Sequence, residues 1–333
     1  MTQDHSWDIS RRQLMVGAAL GAGLSALPQL AAAADPYPNR PIKLVVLSSP
    51  GALGDIMCRL LAKHLSVQLG QPVVVENKPG AGGHISHEYV ARSAADGHTL
   101  LFGANQVFAM GPVMFKKLGY DPVNDLIPAG YFYQGMHWLI TNPAVGVKNL
   151  DEFIAYAKAK GSAVNYGSGG IGHPLHLYAE QLQDGLGTRM THVPYNGMTP
   201  AIQGLMTNEI QFLVTGVSDT IGHIKAGKLQ VLATTGSVIP ELVPPGIPHL
   251  DTARPDLAYP GWVGIFAPKG TPDAIIGRLN GLLNQLADSP AYRKELSETG
   301  NAPLKGTPAE VKARLSRDMK DIGDMGRKLN LGA

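Results

Sequence analysis

The sequence predicts an α/β protein with two lobes, each built on a mainly parallel sheet flanked by helices. A chain of 333 residues is too long to fold around one small hydrophobic core, and its length suits two α/β lobes. Short β-branched segments alternate with stretches of helical periodicity along almost the whole chain, which is typical of parallel sheets with right-handed crossovers. Asn142-Pro143 follows one such strand and precedes a second series of the same kind, so we expect the chain to cross between lobes there.

The first 34 residues are expected to be an export signal rather than part of the fold. Arg11 and Arg12 precede a Gly- and Ala-diluted apolar segment, 15–27, and residues 31–34 are all alanine. The apolar segment is too short and glycine-rich for a good membrane span, and the pattern is typical of a twin-arginine signal. We expect cleavage near Ala34 and a periplasmic location. A cytoplasmic protein with an alanine-rich start and an uncleaved anchor are the alternatives.

The first part of the first lobe is expected over residues 36–138. Its strands are predicted at 42–47, 73–76 and 99–102, and its helices at 56–69 and 84–94, from apolar residues at helical spacing. A further strand at 137–141 leads to the crossing point.

The second lobe is expected over residues 139–235, with the same alternation. Helices are predicted at 150–160, 175–184, from 199 onward and at 218–226, and strands at 164–166, 191–193, 210–215 and 229–234.

Residues 236–333 are expected to hold a linker and the second part of the first lobe. Six prolines in 240–260 indicate an irregular linker. A strand at 262–267 is expected to return to the first lobe, and helices follow at 272–288, 291–299 and 307–328, the first with one buried apolar stripe.

Composition excludes several classes of function. The net charge of +2 argues against a strongly basic nucleic-acid binder, so no nucleic-acid partner is expected. Cys58 is the single cysteine, which excludes an intramolecular disulfide and a cysteine-rich metal site. His84 and His87, like His173 and His176, are three residues apart, but without nearby carboxylates this spacing is weak evidence for a metal, and no metal is expected.

Several ordered blocks of sequence carry a resemblance to a known family. They are residues 37–42, 49–56, 70–83, 96–101, 117–122, 165–169, 192–197, 223–229, 267–272 and 278–280. Through them nearly the whole mature chain resembles the extracytoplasmic solute receptors of tripartite tricarboxylate transporters, often called Bug-type receptors. The resemblance implies the two-lobed type II periplasmic-binding-protein (Venus-flytrap) fold. It also implies a receptor, expected to be a monomer without cofactor, that closes on a small organic carboxylate and delivers it to integral-membrane transporter subunits.

The first candidate binding segment follows the first strand, where a glycine-containing loop enters a helix. Ligands of open parallel sheets sit beyond the carboxyl ends of the strands, and a helix N-terminus suits an anion. Since no Lys or Arg lies between Ser48 and Asp55, main-chain N–H groups would hold the carboxylate. The candidate residues are Ser49, Ala52, Leu53, Gly54 and Asp55. Asp55 either caps the helix or contacts the ligand, and both interpretations stay open.

Other strand ends supply the remaining candidates. From the first lobe they are Asn105, Gln106 and Gln134; from the second lobe they are Ser168, Gly169, Gly170, His173, Tyr195, Asn196, Thr215 and Ser218. His173 is expected to be a neutral hydrogen-bond donor because it lies at a helix start, where the dipole disfavours its protonation. Tyr195 either contacts the ligand or packs at the lobe edge.

Three departures from the family pattern bear on the ligand. Where the family commonly has Gly-Gly-Gly-Thr-Asp, this chain has residues 51–55 with the apolar Leu53 among them. Many relatives carry Lys or Arg at the position of Asn196. Relatives also commonly have an Asp near the position of Gly216. Together with the aromatic segment 131–138 these departures favour an aromatic or otherwise hydrophobic carboxylate over a small polar di- or tricarboxylate. Hinge packing is the other interpretation of the aromatic segment.

Enzyme functions are not favoured by the motifs, and no catalytic residue is expected. A dinucleotide-binding motif, Gly-x-Gly-x-x-Gly, is excluded because Ile85 occupies the position of its third glycine. A hydrolase nucleophile elbow, Gly-x-Ser-x-Gly, is excluded because Tyr166 occupies the position of its first glycine. A periplasmic hydrolase or lyase using Ser168 and a histidine remains the enzyme alternative. A receptor that serves a sensor protein rather than import remains the other.

Overall fold

The computed structural model describes residues 37–258 and 261–331, and the expected export signal lies outside them. From Arg40 onward the chain forms one compact unit. The ten strands of the described residues are β1 (Ile42–Val46), β2 (Val73–Asn77), β3 (Thr99–Ala104), β4 (Leu126–Thr141), β5 (Asn165–Ser168), β6 (Thr191–Pro194), β7 (Phe212–Gly216), β8 (Gln230–Gly236), β9 (Val263–Pro268) and β10 (Asn301–Pro303).

Eleven α-helices lie in the same described residues. They are α1 (Leu53–Leu69), α2 (His84–Ala91), α3 (Asn105–Met114), α4 (Leu150–Lys160), α5 (Pro174–Leu186), α6 (Met198–Met206), α7 (Val217–Lys225), the short α8 (Leu250–Ala253), α9 (Asp273–Asp288), α10 (Pro290–Ser297) and α11 (Pro308–Lys328). No helix within the described ranges is long and apolar enough to span a bilayer.

The α/β fold with two lobes is confirmed, and strand β4 runs through both. In the first lobe β1 pairs in parallel with β2 and β3, while β9 pairs antiparallel with β3 and β4. In the second lobe β5 pairs in parallel with β6 and β7. The second half of β4 pairs antiparallel with β7 and β8, and its middle pairs with β10. The strand at β9 returns to the first lobe, as predicted.

Each lobe has its own apolar core. In the second lobe one face of the sheet buries Phe153, Tyr178 and Phe212, and the other face buries Trp138 and Leu205. The core of the first lobe includes Val45, Leu101, Phe266 and Leu315, so helix α11 packs back onto the strands that precede the linker. Burial of these side chains stabilises each lobe by about 1.5–3 kcal/mol per large side chain.

Three of the elements that differ from the sequence prediction have a clear physical reason. Helix α1 begins at Leu53, not Ile56, because the apolar periodicity starts one turn after the helix does. Helix α3 was not predicted because Gly111 and Pro112 lie inside it, and both residues disfavour helix interiors. Strand β4 extends back to Leu126 because its first half is largely buried, and such strands lack apolar–polar alternation.

Candidate binding site

A cavity of about 690 Å³ lies between the two lobes. Its lining comes from both lobes: Ala52, Leu53, Gln106, Tyr133, Gly135, Met136, His137, His173, Pro174, Leu175, Met198, Thr199, Gly216, Val217, Ser218, Asp219, Gly261, Trp262, Val263, Thr299, Gly300 and Asn301. The volume suits a small organic molecule.

Five helix N-termini meet at this cavity. Helices α1, α3, α5, α6 and α7 each follow the carboxyl end of a strand, β1, β3, β5, β6 and β7 respectively, and each contributes first-turn or cap residues to the lining. The first N–H groups of a helix have no partner within the helix, and the helix dipole is positive at this end. The parallel parts of the two sheets therefore aim five electropositive termini at one place.

Four of these five termini have no side-chain cap in the described structure, and the fifth is capped by His173. Its Nδ1 accepts the N–H of Leu175 at 3.2 Å. Because Nδ1 is the acceptor, the neutral ring carries its proton on Nε2, which is left as a donor. Burial lowers the pKa of His173, so the ring is neutral at neutral pH, the donor state that the sequence predicts.

The cavity holds little formal charge. Among the described residues that line it, none is Lys or Arg. Burial lowers the pKa of His137 to about 4, so this ring is also uncharged at neutral pH. Asp219, in the first turn of α7, is the one carboxylate of the lining. Any positive potential for an anion must then come from backbone dipoles and neutral side-chain donors.

Apolar side chains form much of the remaining wall, with Leu53, Met136, Met198 and Trp262 among them. These side chains give the cavity an apolar surface that suits the hydrophobic part of a ligand.

Trp262 is held in place by two polar groups behind it. Its indole Nε1 donates to Asp318 at 2.5 Å, and its backbone N–H donates to the Asn105 side chain at 3.0 Å. Asn105 also donates to Asp318 at 2.7 Å. Burial raises the pKa of Asp318, although the donors from Trp262 and Asn105 oppose that shift. The indole is therefore a fixed rather than a mobile part of the wall.

Of the first-lobe candidates, Ala52, Leu53 and Gln106 line the cavity. Asn105 is 0% exposed and serves the Trp262 contacts, and Gln134 is 7% exposed. Ser49 accepts the N–H of Ala52 through its backbone oxygen at 3.2 Å. None of these three residues is part of the described lining.

Asp55 is buried behind the loop instead of lining the cavity. Its carboxylate accepts the N–H of Gly51 at 2.9 Å, Nε of Arg59 at 2.9 Å and Nδ2 of Asn77 at 2.8 Å. These donors, Arg59 first, hold its pKa well below the usual range. Because Asp55 is the third residue of α1, it is not the N-cap. It ties the loop to the end of β2.

Position 54 requires a glycine because a neighbouring side chain leaves no room for a Cβ atom. A Cβ at this position would lie 2.2 Å from Oγ of Ser48, a distance that requires the serine to move. The glycine therefore lets the loop after β1 pass closely over the first turn of α1, and it is not itself part of the lining in the described residues.

In the second lobe, His173 and Ser218 line the cavity, and Ser168 does not. Ser168 is 0% exposed, and its Oγ lies 2.7 Å from Nε2 of His192 and 3.0 Å from the carbonyl oxygen of Gly170. The N–H of Gly170 returns a hydrogen bond to Ser168 at 3.1 Å. Gly169 packs against the His173 ring, where a Cβ would approach within 2.9 Å. This cluster stabilises the loop before α5.

The remaining candidates lie beside the cavity. Tyr195 packs in the second-lobe core with its hydroxyl against Gly204, and burial raises its pKa to about 12. Asn196 is exposed but is not part of the described lining. Thr215 is buried and donates to Asp219 at 3.5 Å. The predicted loops border this cavity, but several of the predicted side chains support those loops from behind.

Several lining residues were not singled out from the sequence. They include Asp219, Met198, Thr299 and Gly300. Asp219 directly follows Ser218, and Met198 lies two residues after Asn196, so the proximity of a strand end was an available signal. The segment 299–301 reaches the cavity only because β10 pairs with the distant strand β4, which no local pattern shows. Within the described ranges, no group of three or more His, Cys, Asp or Glu residues is arranged to hold a metal.

Comparison with protein families identifies the family to which this chain is similar. The model described as the tripartite tricarboxylate transporter family receptor matches residues 57–331. Protein BugT of Bordetella pertussis is 32% identical over 288 residues, which cover 86% of this chain and 88% of BugT.

Solved structures of similar proteins include two with bound acids. Rpa4515 of R. palustris, solved with adipate, has a TM-score of 0.70 at 26% identity, with 87% of this chain and 97% of that one covered. MatC from Rhodopseudomonas palustris, solved with bound malate, has a TM-score of 0.67 at 27% identity, with 87% and 99% covered.

Proposed function

The chain belongs to the tripartite tricarboxylate transporter receptor family, and we propose that it is a periplasmic receptor for a small organic carboxylate. In this proposal the acid binds in the cavity between the lobes, the lobes close on it, and the closed form delivers it to integral-membrane transporter subunits. The observation that carries the proposal is the convergence of five helix N-termini from both lobes on one cavity of about 690 Å³.

The backbone of the cavity supports an anionic ligand without a cationic side chain. One helix N-terminus contributes about 0.3–1 kcal/mol to an anion at an exposed site and up to about 2 kcal/mol when partly buried. Helices α3, α5 and α6 have no acidic residue in their first turns, whereas α1 and α7 carry Asp55 and Asp219. Several termini acting together are therefore needed, and the cavity supplies them.

Lobe closure is expected because the ligand contacts residues of both lobes. Since Leu53 lies on the first lobe and Val217 on the second, a carboxylate that accepts hydrogen bonds from both α1 and α7 would stabilise the closed state over the open one. Such a ligand shifts a two-state equilibrium by its differential affinity for the closed state. Family membership supports the membrane partner, and the acids bound by Rpa4515 and MatC support the ligand class.

The body of the ligand is expected to be apolar or aromatic. Leu53, Met136, Met198 and Trp262 offer it dispersion and hydrophobic contacts.

The test is a binding screen on ligand-free protein prepared by unfolding, dialysis and refolding. Carboxylates such as benzoate, hexanoate and adipate are compared with neutral partners such as benzamide and hexanamide, which keep the body but not the charge. A bound acid at a hundredfold excess over Kd stabilises the fold by about 2.7 kcal/mol, and native mass spectrometry then shows one unaltered acid per chain. Equal stabilisation by acids and amides, no stabilisation by any acid, or turnover of the acid would contradict the proposal.

A further inference from the structure

Asp219 places a negative charge on the wall of a cavity that otherwise suits anions. It lies in the first turn of α7, is exposed, and is the one carboxylate among the described residues of the lining. Desolvation raises the pKa of this carboxyl, and hydrogen bonds from Thr215 and Ser218 oppose that shift. Thr215 donates to its Oδ2 at 3.5 Å. No structural ion pair with Lys or Arg involving Asp219 occurs in the described residues, so its charge is not neutralised by a neighbouring side chain.

The same residue stands where the cavity continues into a groove. A groove of about 650 Å³ between α6 and α7 is lined by Met198, Ile202, Met206 and His223 together with Asp219. Met198, Thr199 and Asp219 belong to both the cavity and the groove. A ligand that extends from the cavity into this groove therefore passes Asp219. It then meets the apolar side chains of Met198, Ile202 and Met206, with Thr199, Gln203, Thr207 and His223 as the other polar residues of the groove.

A second carboxylate at that end of a ligand would be unfavourable for two reasons. It would approach the charge of Asp219, and two like charges 4 Å apart repel by about 1 kcal/mol even in water, with more repulsion at a partly desolvated site. It would also lose hydration without gaining a permanently charged partner, since no Lys or Arg lines the cavity or the groove in the described structure.

Resting on the proposed function, we propose that Asp219 is a specificity-determining residue that makes this receptor select monocarboxylates over dicarboxylates. The accepted ligand carries one carboxylate for the helix N-termini. Its other end is apolar, or carries a hydrogen-bond donor that the Asp219 carboxylate accepts.

The experiment measures selectivity with acids matched in length and shape. Isothermal titration calorimetry compares hexanoate with adipate, and benzoate with terephthalate, on the wild type, Asp219→Asn and Asp219→Ser. Asp273→Asn is the matched control, because Asp273 is also an exposed acid in a helix first turn, α9, but lies outside the cavity lining. Circular dichroism verifies that all four proteins are folded.

The expected wild type binds the monocarboxylate of at least one pair at least fivefold more tightly than its dicarboxylate. Both Asp219 variants reduce that ratio about fivefold, mainly by binding the dicarboxylate more tightly, and Asp273→Asn leaves it unchanged. The wild-type preference is also expected to increase as the ionic strength is lowered, since like-charge repulsion is screened by salt.

Two results would overturn the inference. A wild type that binds both members of each pair equally, or that prefers dicarboxylates, would refute it while leaving the proposed function intact. An unchanged ratio in both Asp219 variants would do the same. Failure of every acid to bind the wild type would instead reject the proposed function together with this inference.

Discussion

Replacing Asp55 by Asn tests how the loop between β1 and α1 is held. The carboxylate of Asp55 is 3% exposed and accepts three hydrogen bonds, from Gly51, Arg59 and Asn77. One of its oxygens serves Gly51 and Arg59, and the other serves Asn77. An asparagine has one acceptor oxygen in place of two. Its NH₂ group must therefore face either the donors of Gly51 and Arg59 or the donor of Asn77.

The expected loss of stability follows from these contacts. A hydrogen bond to a charged group contributes about 1.5–3 kcal/mol, and an unsatisfied buried donor costs a similar amount. The contact with Arg59 counts for less, since that side chain is 54% exposed. We expect Asp55→Asn to lower the free energy of unfolding by about 2–3 kcal/mol, which lowers Tm by roughly 4–10 °C.

The assay is thermal unfolding as a function of pH. Because the folded protein holds the pKa of Asp55 well below its unfolded value, the stabilisation is fully present above the unfolded pKa of about 4 and is lost as the pH falls further. The difference in Tm between wild type and variant should therefore be constant above about pH 5 and narrow below pH 4. Asp256→Asn, at a surface pair with Arg254, is the control and should leave Tm unchanged.

A variant as stable as the wild type at pH 7, or a difference in Tm that does not change with pH, would refute this assignment. It would mean that the carboxylate of Asp55 is not the group that holds the loop.

Three further predictions concern other buried groups. Trp262→Phe removes the donor to Asp318 and should weaken acid binding by about tenfold without unfolding the protein, as titration calorimetry would show; unchanged affinity would contradict a fixed indole wall. Burial lowers the pKa of His137 and of His192 to about 4, so the unfolded chain binds more protons between pH 4 and 6.5, and Tm should fall as the pH drops through that range; a flat Tm there would contradict it. Burial raises the pKa of the Cys58 thiol, so Ellman's reagent should label it only after unfolding; rapid labelling of the native protein would show otherwise.

Much of the fold follows from local patterns. The helix predicted at 150–160 is present as Leu150–Lys160, because Asn149 caps it and its apolar face is regular. The first half of β4 was not predicted, because a strand buried on both faces lacks alternation. Helix α3 was hidden by Pro112, whose cost is offset by packing of Ala109 and Met110 against Ile322 of α11.

The candidate site was predicted at the level of loops better than at the level of side chains. Leu53, Gln106 and Ser218, predicted from strand ends that lead into helices, line the candidate cavity, because parallel strands end at one edge. Which way a side chain points from such a loop depends on tertiary partners. Ser168 points to His192, and local sequence does not determine that partner.

A crystal structure of the complex with the tightest-binding acid from the screen tests most directly whether backbone amides hold the ligand. We expect the carboxylate oxygens to lie 2.7–3.2 Å, the usual N–H···O range, from first-turn N–H groups of both lobes, from α1 or α3 on one side and from α6 or α7 on the other. No Lys or Arg should contact the carboxylate. A carboxylate paired with a cationic side chain, or an acid bound outside the cavity between the lobes, would contradict the account.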